Sequence, residues 1–230
     1  MFIFGVYFRK QGACVPKPDL DSPILAKGVL DREFAGEYRA ALLVGNQITA
    51  RGSRERLRTE TSRVVLKGAE VTLESLDGKQ LQDPFSSIGT GFVDSSEGTD
   101  PGLAILYATL IPGKAVAALP NGTLVARVRA FGTTLGGQDV ESGELAFPIE
   151  ICSGCLITYP ASARDLTADG GGYQCKQAAD DSMAAAEEVD LPCSLGTDVP
   201  SPCTACSGVS DVCLSPANNC YYTPDGPNCP

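Results

Sequence analysis

Two Cys-x-x-Cys pairs, Cys152-Ser-Gly-Cys155 and Cys203-Thr-Ala-Cys206, have the internal spacing that metal sites and redox centres use. Four thiolates hold zinc in tetrahedral geometry, but 47 residues separate the pairs and six further cysteines surround them. A redox-active pair needs its first thiol at a helix start within a βαβ pattern. Cys152 instead follows Glu144–Ile151, an apolar-alternating run that reads as a strand. Nine of the ten cysteines lie in the last 79 residues, a density that marks a disulfide scaffold. The expectation is therefore that Cys14, Cys152, Cys155, Cys175, Cys193, Cys203, Cys206, Cys213, Cys220 and Cys229 form disulfides, in a pairing that spacing alone leaves open.

Other chemistries lose their residues. The chain has no histidine, so there is no Ser-His-Asp triad, no Cys-His pair and no imidazole ligand. Leu156 and Ser207 stand where haem attachment needs histidine, and no nucleophile elbow or phosphate-cradling glycine motif occurs. Carboxylate pairs such as Glu187-Glu188 are available for acid–base work, but nothing singles one out. Asp94, Glu97 and Asp100 lack the spacing and closing Glu of a calcium loop and read as a solvated turn. The expectation is a protein that is not an enzyme and carries no cofactor or metal.

Five arginines, Arg51, Arg54, Arg56, Arg58 and Arg63, fall within thirteen residues of an acidic chain. Such a run is ordinarily a solvated loop or a charge-protected edge. Its functional reading is a site for an acidic partner: an anionic glycan, a lipid head group or the acidic C-terminal part of a neighbouring copy, with Arg127 and Arg129 as further cations.

The elements that position these residues read as short strands. Leu124-Val125-Ala126-Arg127-Val128-Arg129-Ala130 alternates, which places Leu124, Ala126, Val128 and Ala130 in a core and both arginines in solvent. Ile24–Leu30, Glu37–Thr49 (bent at Gly45-Asn46), Val64–Leu66, Ala69–Leu76 and Glu144–Ile151 continue the pattern, Phe85–Val93 is short and mixed, and Leu103–Ile111 suits the centre of a sheet. Asp77-Gly78 predicts a type I′ hairpin, Asn121-Gly122 joins a Val116–Leu119 strand to the next, and Gly136-Gly137 turns the chain again. Past Tyr159 periodicity ends, leaving a Gly170–Gly172 hinge and one short helix over Met183–Val189 capped by Asp181-Ser182. The class expected is mainly β: an immunoglobulin- or fibronectin-like β-sandwich over residues 23–160, after an N-terminal extension (1–22) and before a cysteine-rich region (161–230).

Net charge is −10, which opposes nucleic-acid binding. From Ile151 onward ten acids face two bases, a balance of −8 that leaves −2 for the first 150 residues. Cysteine usage places the chain outside the reducing cytosol, exported to the cell surface, the outer membrane or the medium. MFIFGVYF, followed by Arg9-Lys10, is too short for an export signal, so that signal is expected upstream of Met1 or already removed. Nothing approaches a transmembrane span. Gln11-Gly12-Ala13-Cys14 invites lipidation, against which Gln11 in place of an aliphatic residue and the parity of the thiols both count.

Two stretches, RTETSRVVLKGAEV (Arg58–Val71) and GTTLGGQDVESGE (Gly132–Glu144) continuing through FPIEICSGC (Phe147–Cys155), resemble uncharacterised exported proteins of myxobacterial type. In that group a β-rich body precedes a cysteine-rich tail, and members are often predicted lipoproteins. The resemblance implies an envelope or extracellular location and assigns no active residue. The function expected is that of a non-enzymatic envelope or extracellular structural protein assembling with other proteins or copies of itself; the alternative is a glycan- or acidic-ligand-binding module using Arg51–Arg63.

Overall fold

The computed structural model describes residues 1–9, 14–52, 59–158, 193–202, 221–223 and 226–228. The Gly170–Gly172 hinge, the Met183–Val189 helix, Arg54, Arg56, Arg58, Cys175, Cys203, Cys206, Cys213, Cys220 and Cys229 lie outside the described residues. The chain is mainly β, with two larger sheets. In chain order the elements are β1 (Phe2–Tyr7), β2 (Ile24–Leu25), β3 (Gly28–Asp31), β4 (Tyr38–Asn46), β5 (Val64–Ser75), β6 (Phe85–Val93), β7 (Gly102–Ile111), a short helix α1 (Gly113–Val116), β8 (Gly122–Thr134), β9 (Asp139–Glu141), β10 (Leu145–Cys152), β11 (Ile157–Thr158), β12 (Ser201–Pro202), β13 (Tyr221–Thr223) and β14 (Gly226–Asn228). They form two compact units: one of Met1–Arg9, Val15–Gly28 and Glu37–Ile151, the other containing Cys14, Val29–Gly36 and the described residues from Cys152 onward.

The first unit holds an antiparallel sheet ordered β2-β1-β4-β7 and a second with the path β10-β8-β5-β6, to which β9 adds beside β8. The alternation of β8 is as read: Leu124, Ala126, Val128 and Ala130 are buried and Arg127 and Arg129 face out. Opposite them Leu66, Ala69, Val71 and Leu73 of β5 and Phe147, Ile149 and Ile151 of β10 complete one buried face. The other sheet buries Ala40, Leu42 and Val44 of β4 with Leu106, Ala108 and Leu110 of β7.

Several local expectations change. Phe2–Tyr7, read as part of an extension, is a strand between β2 and β4. Val64–Leu66 and Ala69–Leu76 are one strand, β5, carrying a bulge between Leu66 and Gly68. Gly68 has φ +154°, and a Cβ there would run into the Ser87 carbonyl. Neither a bulge nor a bend occurs at Gly45-Asn46: β4 runs through to Asn46, and the Phe2 ring lies against the bare Gly45 backbone. Val116–Leu119 is not a strand. Its residues belong to α1 and the turn after it, where Ala115 N–H donates to Pro112 O (2.8 Å) and Leu119 N–H to Ala115 O (3.1 Å). Four apolar residues suit a turn of helix as well as a strand. Leu103–Ile111 is not central: β7 ends its hydrogen-bonded ladder, with Thr109 N–H donating to Ser87 Oγ of β6 at 2.8 Å on its far side. Asp77-Gly78 is not type I′, since only Gly78 has positive φ (+83°). Gly78 N–H donates to Ser75 O (2.9 Å) and Ser75 N–H to Lys79 O (2.9 Å), a type I turn closed by a left-handed glycine. Thr134-Leu135-Gly136-Gly137-Gln138 repeats that design with Gly137 at φ +84°.

In the second unit, Asp31 N–H donates to Gly196 O (2.9 Å) and Asp198 N–H to Val29 O (3.0 Å), joining Val29–Asp31 to the segment after Cys193. Gly196 has φ +73°, and a Cβ would meet Ala35 N at 2.8 Å. Disulfides Cys14–Cys193 and Cys152–Cys155 are formed. β11 pairs with β12 in parallel, and β13 with β14 antiparallel. No helix among the described residues is long and apolar enough to cross a membrane.

Candidate functional site

The described ends of the arginine segment are held by an acid, Glu60. The Glu60 carboxylate accepts hydrogen bonds from the backbone N–H groups of Arg51 (3.0 Å), Gly52 (2.9 Å) and Ser62 (2.5 Å), pinching the two ends of the segment together. Those bonds, that from Gly52 foremost, hold the Glu60 pKa below its ordinary value because they stabilise the ionised form. The far end is fixed by Asn46, which is fully buried and donates from Nδ2 to Ser62 O (2.9 Å) and Asp94 O (3.0 Å). Segment 61–63 then runs beside the β8–β9 turn, with Leu135 N–H donating to Arg63 O (2.8 Å) and Gly136 N–H to Thr61 O (3.0 Å). The result is a depression of about 290 Å³ lined by Ile48, Arg51, Thr61, Ser62, Thr134 and Gln138. Its one cation, three hydroxyls and an amide suit a small anionic or polyhydroxylated ligand.

The other described arginines are engaged within the fold. Arg63 Nε pairs with Asp94 Oδ1 at 2.8 Å, and its guanidinium lies 5.1 Å from the Phe92 ring centroid. Arg127 is held by Glu74 (2.6 Å) and Glu144 (2.8 Å), which raise its pKa by bonding the charged form. Arg129 lies 3.8 Å from Glu144. Of the five arginines singled out by spacing, Arg51 alone among those described lines the depression.

The solvent-facing side of the second sheet carries apolar side chains. Val65 pairs with Phe92 and Thr133, and Gly68 with Ile88 and Phe131, so Val65, Ile88, Phe92 and Phe131 share one face, with Thr90 between Ile88 and Phe92. Ile88 is 76 % and Phe92 56 % exposed. Lys67, 3.8 Å from Asp139, and Arg63 border them. Sequence reading passed over this patch, because Phe85–Val93 mixes apolar residues with serine, threonine and glycine.

In the second unit the Cys152-Ser153-Gly154-Cys155 loop closes on Asp31. This carboxylate, 0 % exposed, accepts from Gly154 N–H (2.8 Å) and Glu33 N–H (3.2 Å) at Oδ1 and from Leu156 N–H (3.0 Å) at Oδ2. Arg32 N–H donates to Cys152 O at 2.9 Å. As read, Cys152 ends a strand. Asp31 Oδ and the two sulfurs lie within 4.8 Å of one another, the one such gathering of three candidate ligands among the described residues. Asp94, Glu97 and Asp100 are not gathered in this way: Asp94 binds Arg63, and Glu97 and Asp100 exchange backbone hydrogen bonds. Nothing in the sequence ties Asp31 to a loop that begins at Cys152. No protein-family model matches the chain, and no curated protein matches it.

Proposed function

We propose that this is a disulfide-stabilised, non-enzymatic protein of the cell envelope or extracellular space that assembles with other chains, in the first place copies of itself. In this reading the two sheets of the first unit are an immunoglobulin- or fibronectin-like sandwich, and the C-terminal region is a disulfide-locked appendage. Support for export comes from the two disulfides, which persist in oxidising compartments. The observation that carries the assembly reading is the exposure of Ile88 and Phe92 on the face they share with half-buried Val65 and Phe131. Adjacent exposed aliphatic and aromatic side chains on a sheet mark a contact surface. Arg63 and Lys67 border it, each beside an acid of its own chain (Asp94 and Asp139); in this reading they exchange those acids for the C-terminal part of a second copy, which from Ile151 onward carries −8. Light scattering of the full chain across a salt series tests this. An oligomer that dissociates at high salt and in the Ile88→Ser/Phe92→Ser variant is expected; a monodisperse monomer in native extracts overturns the reading.

A second reading rests on the depression beside Arg51, which suits a sulfated or phosphorylated saccharide. Binding of a sulfated oligosaccharide that weakens with salt and is lost in Arg51→Ala is its expected outcome. Affinity unchanged by Arg51→Ala removes it.

A further inference from the structure

We propose that Cys152–Cys155, set at a strand end and not at the helix start of the βαβ redox motif, is nonetheless a thiol–disulfide exchange centre, a pair that is reduced and reoxidised without unfolding, with Asp31 as the positioning residue that keeps the loop in shape in both states. Three observations lead there. The disulfide spans three positions in sequence, so it closes a very short loop and constrains the unfolded chain far less than Cys14–Cys193, with a separation of 179. The loop is held by bonds that involve neither sulfur: Gly154 and Leu156 N–H on the Asp31 carboxylate, and Arg32 N–H on Cys152 O. None of them is broken by the bond change itself, and the proposal has them persist when the S–S bond opens. Finally, Cys155 is an exposed residue and Cys152 a half-buried one, so the pair is open to an incoming thiol from the Cys155 side.

The exchange balances with a dithiol as the co-reactant. Its thiolate attacks Cys155 Sγ and forms a mixed disulfide. The Cys152–Cys155 bond breaks, and its electron pair leaves on Cys152 as a thiolate that takes a proton from water. The second thiolate of the co-reactant then attacks its own sulfur in the mixed disulfide and releases Cys155, which is protonated in turn. Two electrons and two protons pass to the pair, and the dithiol ends as a disulfide. Run backwards, the oxidised pair is regenerated from a disulfide of the same class, so the partner is a dithiol or disulfide protein or small molecule outside the cytosol. Asp31 Oδ lies within 4.8 Å of both sulfurs but transfers neither proton nor electrons in this scheme; it fixes the backbone between them.

The test is graded reduction of the full oxidised chain with dithiothreitol, followed by acid quench, alkylation and peptide mapping, with far-ultraviolet circular dichroism and amide exchange on matched samples. Cys152 and Cys155 are expected to alkylate at a dithiol concentration about tenfold or more below that needed for Cys14 and Cys193. The β signal and the protection of the Gly154 and Leu156 amides should be unchanged at that point. Alkylation of Cys14 and Cys193 at the same or lower concentration overturns the proposal, as does loss of either amide's protection when the pair opens. The Cys152→Ser variant supplies an independent reading: Cys155 should form a stable mixed disulfide with oxidised glutathione in the folded chain, and failure to do so also overturns it.

Discussion

Asn46 Nδ2 donates to Ser62 O at 2.9 Å and reaches Asp94 O at 3.0 Å, while Asn46 Oδ1 accepts from Ile48 N–H at 3.0 Å. One fully buried amide at the end of β4 thus satisfies three backbone groups and ties the arginine segment to the loop after β6. Replacing it strands those groups, and each unsatisfied buried polar group costs about 1–3 kcal/mol. Asn46→Ala is therefore expected to lower the stability of the first unit by about 2–4 kcal/mol, read from its urea midpoint at unchanged slope. A loss below about 0.5 kcal/mol, the range of ordinary surface substitutions, would show that water replaces the amide at little cost.

The two disulfides differ in what their removal costs. Loop-closure entropy alone gives about 5 kcal/mol for a bridge with the separation of Cys14–Cys193, 179, and about 2 kcal/mol for Cys152–Cys155, separation 3. Cys14→Ser/Cys193→Ser should therefore cost more than twice as much as Cys152→Ser/Cys155→Ser in oxidised protein. Chemical denaturation of both variants followed by fluorescence of the seven tyrosines decides it, and an equal loss would contradict the loop-length argument.

How much of this was legible depended on range. The β8 alternation was readable because a half-buried strand repeats every two residues within itself, so Leu124, Ala126, Val128 and Ala130 declare their side without reference to a partner. The uninterrupted apolar run of β7 suggested burial on both faces, whereas the strand alternates buried Ala104, Leu106, Ala108 and Leu110 with less covered residues such as Tyr107, and its far side meets β6, the strand just before it. Val116–Leu119 was ambiguous because four apolar residues fit either a strand or a helical turn, and contacts of Ala115 with Pro112 and Leu119 settled it. The arginine cluster was visible as composition, whereas the hold on Arg51 and Gly52 comes from Glu60, an acid indistinguishable in sequence from Glu55. Asp31 was not legible at all: its role exists only once Gly154 and Leu156 are folded against it.

Glu60 makes the clamp on Arg51, Gly52 and Ser62 depend on pH. Its folded pKa lies below the ordinary 4.5, so the ionised clamp contributes stability that is fully present above that value and is lost as pH falls through the lower, folded pKa. Amide exchange at Arg51, Gly52 and Ser62 should accelerate in that acid window while β8 amides stay protected. A carboxylate midpoint at or above 4.5 by NMR titration would contradict the clamp. Glu60→Gln keeps one acceptor oxygen but turns the other into a donor facing N–H groups, so it should release the segment even at neutral pH.

The bulge at Gly68 makes the sharpest test of how the second sheet is built. Its φ of +154° and the Ser87 carbonyl beside it leave no room for a side chain, and the register between β5 and both its neighbours shifts at this point. The shift also brings Gly68 opposite Ile88 and Phe131, so the apolar face owes its alignment to it. Gly68→Ala must either strain the backbone or push β6 away, at a cost of about 2 kcal/mol or more. Gly143→Ala is the control, because a Cβ there meets nothing within 4 Å and its φ is not positive; it should stay within about 0.5 kcal/mol of the parent. If the two variants have equal urea midpoints, the bulge accommodates a side chain and does not set the register. If Gly68→Ala alone falls, and with it the exposure of Ile88 measured by hydroxyl-radical footprinting, one glycine fixes both the strand pairing and the face that it presents.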